Sequence, residues 1–308
     1  MKKRFVTTVA LAIGISSFST MPVISEPAPV HAANIQNNDQ AVANKANQLI
    51  NTAKSLIGKA TYSNTVYKPT APYQFSCATF LMYVFEKNGV DLATYNENYM
   101  MQQGSYVPRS QLQKGDLLFF KSKKTGTDPD HVGMYIGNNK IIHMADSKQN
   151  IVISDLNSKP YYKDNYVTAR RVLPTLMSAN PATTGDKIVA KAYATKDQAK
   201  MGSVNSDASL RFTSGGFIEY TYRKNGVLLK TKSISEQMKL GTAVSKANLK
   251  KGDLVFFNST KGSKKPTQVA IYAGDHRLII PTSKGVITRV LLVDYYKDHY
   301  ITARRVTK

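Results

Sequence analysis

The chain has 308 residues and carries 42 Lys and Arg against 20 Asp and Glu, a formal net charge of +22. Such a basic excess points to an anionic partner. The single cysteine excludes an internal disulfide, and no Cys/His cluster has metal-ligand spacing, so neither a metal nor an organic cofactor is expected.

In chain order, Met1-Lys2-Lys3-Arg4, an apolar run from Phe5 to Ile15 and the compact Val30-His31-Ala32 read as an export signal over residues 1–32, cleaved near Ala32. The apolar run is too short to span a bilayer, so no stable membrane anchor is expected. The mature chain is then secreted, extracellular or wall-associated. Removing residues 1–32 takes out three basic residues and one acidic one and leaves a charge of +20. Export argues against nucleic acid as the partner and for an anionic cell-wall polymer. The polar Asn34–Gln40 is expected to be disordered. From Ala41 to Ala60, apolar residues at helical spacing predict a helix. Tyr62–Phe75, with Pro69 and Pro72, reads as a loop. Cys77 opens a second helix whose apolar face carries Phe80, Leu81, Val84 and Phe85 and which stops at Gly89. Strands are predicted at Asp116–Phe120, His131–Ile136 and Lys140–Ala145, the last two joined by the hairpin turn Gly137-Asn138-Asn139. Residues 174–185 read as a linker between a first domain at 41–173 and a second at 186–308. Helices followed by antiparallel strands predict an α+β domain built twice.

The two halves repeat one another. Phe75 to Phe80 returns as Phe212 to Phe217, Lys114-Gly115-Asp116 as Lys251-Gly252-Asp253, and His131 to Gly137 as Gln268 to Gly274, all at an offset of 137 residues. Tyr161-Tyr162-Lys163-Asp164 and Ala169-Arg170-Arg171-Val172 return at Tyr295 and Ala303 with an offset of 134. At this alignment Cys77 faces Ser214, His131 faces Gln268 and His143 faces Ile280. Three reactive side chains are missing together from the second copy, which marks them in the first.

A cysteine in the first turn of a helix meets unpaired amides and the positive end of the helix dipole, so its thiol pKa is expected to fall towards neutral. The same amides can hold an oxyanion. A thiolate nucleophile needs a base that later protonates the leaving amine. The first domain offers His131 for this, with His143 to orient it. A register pairing Gly133 with His143 would make the two histidines diagonal neighbours, and a one-residue slip would separate them onto opposite faces. The sequence leaves that choice open. Gly133 is expected to leave room for the thiol-bearing helix.

The Cys77 helix, Lys-Gly-Asp-Leu-Leu-Phe-Phe at 114–120, His-Val-Gly-Met-Tyr-Ile-Gly at 131–137 and Ile-Ile-His-Met-Ala at 141–145 together resemble the NlpC-type bacterial cell-wall peptidases. The resemblance covers nearly all of the first domain and, more weakly, all of the second. It implies a papain-like fold and a cysteine endopeptidase that cuts peptidoglycan stem peptides at γ-D-glutamyl linkages to a diamino acid. By the same resemblance Cys77 is the nucleophile, His131 the base, His143 the third residue and Tyr62 a lining residue. Where the family has Asp-Cys-Ser-Gly, this chain has Ser76-Cys77-Ala78-Thr79. Ser76 thereby becomes a candidate substrate contact, and recognition of a free stem amino terminus comes into question. The usual Trp-Gly-Gly run is absent, and the chain has no Trp. The second copy reads as a pseudo-enzyme. The rival expectation is a non-catalytic envelope-binding or structural protein with two degenerate domains; a third is amidase or acyl-transfer chemistry by the same Cys-His pair.

Overall fold

The computed structural model describes residues 30–122, 126, 128–177 and 181–307. The export signal expected over 1–32 therefore lies almost wholly outside the described residues.

The first half opens with α1 (Val30–Ser55). It takes in residues 34–40, which sequence alone left disordered: from Val30 to Ser55 there is neither Gly nor Pro, and Ala, Asn and Gln carry the helix through. It also ends before Ala60. Gly58 adopts a positive φ of 74°, which closes the helix, and Ala60 starts β1 (Ala60–Tyr62). The presumed loop then contains β2 (Tyr73–Phe75), paired in parallel with β1. The predicted second helix is α2 (Cys77–Lys87), with Phe80, Leu81, Val84 and Phe85 buried and Gly89 at φ 71° just beyond it. A short α3 (Glu97–Met100) follows.

The remaining strands of this half are β3 (Ser105–Tyr106), β4 (Leu117–Lys121), β5 (Pro129–Gly137), β6 (Lys140–Met144), β7 (Ile151–Asp155) and β8 (Tyr166–Arg171). They form one antiparallel six-stranded sheet in the order β3-β8-β4-β5-β6-β7. Between β7 and β8 lies α4 (Pro160–Asp164). Period-two alternation sends Leu117 and Phe119 into a core with α1 and α2, and Leu118 and Phe120 into a smaller cluster around Tyr162 on the other face.

The stretch expected to link the halves carries α5 (Leu173–Leu176) and the start of α6 (Thr184–Lys196). Leu173 and Leu176 are buried in the first core, so the chain leaves that core later than its Pro- and Thr-rich composition suggests.

The second half rebuilds the first. A parallel pair, β9 (Lys200–Met201) and β10 (Arg211–Phe212), precedes α7 (Ser214–Arg223) and a short α8 (Ile234–Gln237). The sheet comprises β11 (Thr242–Val244), β12 (Leu254–Phe257), β13 (Gln268–Gly274), β14 (Arg277–Thr282), β15 (Gly285–Val290) and β16 (Tyr300–Arg305), with α9 (Asp294–Asp298) before its last strand. Its order, β11-β16-β12-β13-β14-β15, matches the first sheet strand for strand. Both hairpin turns place two successive non-glycine residues in the left-handed region, Asn138 and Asn139 at φ 51° and 56°, then Asp275 and His276 at φ 52° and 62°.

The repeated Lys-Gly-Asp and Ala-Arg-Arg motifs meet in each sheet. Arg171 donates from Nε and Nη2 to the two carboxylate oxygens of Asp116 at 3.0 and 2.9 Å, and Arg305 does the same to Asp253 at 2.8 and 2.7 Å. Both aspartates are buried. A two-pronged pair of this kind fixes the strand from each motif against the other, which accounts for their retention in a copy that has lost the reactive residues.

Candidate active site

Ser76 caps α2. Its hydroxyl accepts from the Thr79 amide at 3.2 Å, and Thr79 Oγ1 accepts from the Ser76 amide at 2.7 Å, a reciprocal capping box. The hydroxyl is thus committed to the helix start, and Ser76 is not among the residues that line the adjoining cleft. That cleft, of about 590 Å³, is lined by Cys77, His131, His143 and Tyr62, with Glu97 and Asp130 close to the thiol. Tyr62 donates its phenol proton to Asn64 Oδ1 at 2.6 Å, and its amide is held by Asn150 Oδ1.

The register left open by the sequence is the favourable one. Met134 pairs with Ile142 and Tyr135 with Ile141, which sets Gly133 opposite His143. A Cβ on Gly133 would sit 3.2 Å from the His143 Cβ and 3.2 Å from Ile141 Cδ1. The missing side chain therefore makes room for His143 on the neighbouring strand, not for α2 as the sequence suggested. The reason lies in strand alternation. Val132 and Met134 face the helices, so His131 and Gly133 face the opposite side, with Phe120 and Tyr162. Cys77 shares the cleft with the histidines because it is the first residue of α2, where the helix tip abuts the start of β5: its Sγ approaches the Asp130 carbonyl at 3.9 Å.

The imidazoles form a chain. His131 Nε2 lies 2.8 Å from His143 Nδ1, and His143 Nε2 lies 3.0 Å from Ser154 Oγ and 3.3 Å from the Tyr162 hydroxyl. Proton bookkeeping along it gives one tautomer in which His131 can act as a base. Nε2–H of His131 donates to Nδ1 of His143, Nε2–H of His143 donates to Ser154 or Tyr162, and Nδ1 of His131 keeps its lone pair. Burial lowers His131 to about 4; burial, then the neighbouring His131, lowers His143 to about 3. Both are neutral at pH 7.

The thiol departs from expectation. Cys77 is 7% exposed, and its Sγ donates to Glu97 Oε1 at 3.1 Å. Burial first, then the Glu97 charge and hydrogen bond, push its pKa well above the usual thiol range, while backbone contacts at Val132 and Ala78 act the other way. The helix start alone suggested a lowered pKa. Burial, reinforced by a carboxylate from α3 twenty positions along the chain, outweighs it.

Glu97, Asp130, Ser154 and Tyr162 are the contributors that sequence reading missed. Tyr162 sits in a motif shared by both halves, and its counterpart Tyr296 in the second kept it from standing out as Cys77, His131 and His143 do. Ser154 has a readable signal: it is the inward position of the strand next to His143, paired by register with Ile141.

In the second half the corresponding positions hold no such chain. Ser214 Oγ donates to the Pro281 carbonyl at 3.1 Å, Gln268 Oε1 is buried without a partner, and Ile280 is buried in an apolar cluster.

The chain is 30% identical over 262 residues to the γ-DL-glutamyl hydrolase of Bacillus subtilis, a match covering 83% of this chain and 60% of that protein. It is 32% identical over 129 residues to the γ-D-glutamyl-L-lysine dipeptidyl-peptidase of Bacillus cereus, covering 42% and 37%. Against the murein DD-endopeptidase MepS/murein LD-carboxypeptidase of Escherichia coli K12 it is 42% identical over 100 residues, covering 32% and 49%. It thus spans about 60% or less of the length of these relatives. The profile of the NlpC/P60 family matches residues 62–171 and again 195–305, one match per sheet. With two matches that take in most of the chain, on two papain-like α+β units of identical strand order, the chain belongs to the NlpC/P60 family.

Proposed function

We propose that the protein is a secreted cysteine endopeptidase that hydrolyses γ-D-glutamyl linkages to a diamino acid in peptidoglycan stem peptides, with one active centre per chain. The observation that carries this reading is the hydrogen-bonded His131–His143–Ser154 chain lining the same cleft as Cys77. The domain at 41–173 does the chemistry, and the domain at 186–308 is non-catalytic.

The Cys77 proton passes to His131 Nδ1 as sulfur attacks the stem-peptide carbonyl, forming a C–S bond and an oxyanion. Amides at the start of α2 hold the oxyanion. The imidazolium, steadied by His143, then gives its proton to the departing amine, and the C–N bond breaks. Water, deprotonated by the same imidazole, attacks the thioester and restores the thiol. Glu97 must release the thiol for the first step. Tyr62 lines the cleft where the substrate would sit.

The names of two relatives support the bond assignment, since both specify γ-glutamyl hydrolysis. The net charge of +22 supports retention on an anionic wall polymer. Incubating the mature protein with muropeptides, beside Cys77→Ala, is the test. Products ending in γ-D-glutamate from the wild type alone are expected; equal product from both proteins, or from neither, would overturn the proposal.

A further inference from the structure

A second cleft, of about 870 Å³, lies between the two halves. Tyr67, Tyr95 and Tyr99 line it from the first, and Tyr193, Arg289 and Tyr295 from the second. Three of these rings are open to solvent: Tyr95 is 69% exposed, Tyr295 47% and Tyr67 39%. Single exposed aromatics are ordinary, but several converging on one concavity from two domains mark a binding surface. The volume falls within the range of on the order of 300–1,000 Å³ typical of small-ligand sites.

The walls are fixed before any ligand arrives. Arg277, 1% exposed, donates across the interface to the carbonyls of Asp91 at 3.2 Å and Thr175 at 3.3 Å. Asp275 accepts from the Gly104 amide at 2.8 Å and the Thr175 hydroxyl at 2.7 Å. This lock holds the two domains in one arrangement, so ring positions on either side are preorganised.

The lining selects a class of ligand. Charges of both signs are present, Arg289 and Lys196 against Glu86 and Asp197, so a uniformly anionic polymer gains little here despite the basic character of the whole chain. Tyrosine combines a flat apolar face with a hydroxyl. Rings of this kind interleaved with hydrogen-bonding groups of both polarities suit a ligand with apolar C–H faces rimmed by hydroxyl and amide groups, which is a carbohydrate. The position relative to the thiol is equally specific: α3 separates the two clefts, with Glu97 against Cys77 on one side and Asn96 and Tyr99 on the other.

We propose that the interdomain cleft is a carbohydrate subsite, seating the amino-sugar strand from which a stem peptide hangs while that peptide occupies the Cys77 cleft. The inference rests on the peptidase reading above and gives the second domain a role: it supplies one wall of the subsite.

The test compares wild type, Tyr95→Ala and Tyr295→Ala on two substrates, a free stem peptide and the same peptide attached to its disaccharide. Both substituted rings are exposed, so the fold is retained. Expected is a loss in kcat/KM of about tenfold, carried by KM and confined to the disaccharide-linked substrate. Equal loss on both substrates would mean that the cleft holds peptide, and no loss on either would mean that it holds nothing relevant; each overturns the proposal. If the wild type cleaves neither substrate, the peptidase reading fails separately. Calorimetric titration of a β-1,4-linked N-acetylglucosamine oligomer then decides the subsite alone: saturable binding weakened by both substitutions sustains it, and absence of binding removes it.

Discussion

At the scale of single residues, the contest at Cys77 sets a helix terminus against burial and a neighbouring carboxylate. The partial charge of a helix start favours a thiolate by a modest amount, whereas burial and a full negative charge at hydrogen-bond distance both favour the thiol. The latter two together hold the Cys77 pKa above the usual thiol range. Glu97→Gln removes the charge and leaves the shape, so the folded-state thiol pKa falls and more thiolate exists at any given pH. The rate of Cys77 alkylation plotted against pH is therefore expected to shift to lower pH by about one unit or more. An unshifted profile would show that Glu97 does not govern the thiol. The same variant separates two candidate bases. Peptidase activity retained in Glu97→Gln but lost in His131→Ala assigns proton transfer to the imidazole; the reverse pattern assigns it to the carboxylate.

At the scale of elements, the sheet is held in register by features that both halves share. Asp116 is 2% exposed and is bound by Arg171 from β8 and by the Gln113 amide. Asp116→Ala leaves a partly buried guanidinium facing an empty site, and loss of one partner of such a pair costs about 3–5 kcal/mol. A drop in the urea midpoint with an unchanged slope is the expected result. A change within about 0.5 kcal/mol, the range of ordinary surface substitutions, would mean that the motif is kept for another reason. The meeting of the two histidines depends on the same register. His131 and His143 meet only because Gly133 stands opposite His143, and one residue of slip would turn one of them into the helix-covered core.

At the scale of the whole molecule, two copies of one scaffold differ in that only the first carries the Cys77, His131 and His143 side chains. The basic excess is spread over the chain, while the Cys77 cleft carries Glu97, Asp130 and Asp146 against a single lysine, Lys159. On the proposed function, attachment to an anionic wall and recognition at the thiol would rest on different groups. Binding of the mature protein to isolated cell walls is expected to weaken as salt rises from about 0.1 to 1 M, over which the screening length contracts from about 10 to 3 Å. Retention unchanged by salt would assign attachment to shape-specific contacts instead.

The sequence by itself determined the duplication, the α+β character and the two central hairpins, and it singled out Cys77, His131 and His143 as candidate site residues. Each is written in local pattern: constant offsets, alternation, turn residues, and the joint loss of three side chains from one copy. It misjudged the extent of α1 and of the linker, where composition is a weak guide to a helix that tertiary packing can extend. Only the tertiary structure decided the strand register, the placing of Glu97 on the thiol, the commitment of Ser76 to a helix cap and the seating of Ser154 and Tyr162 behind His143. The cleft between the halves belongs to this second group as well. All of these are contacts between segments far apart in the chain, and neither periodicity nor spacing carries information about which distant side chains will meet.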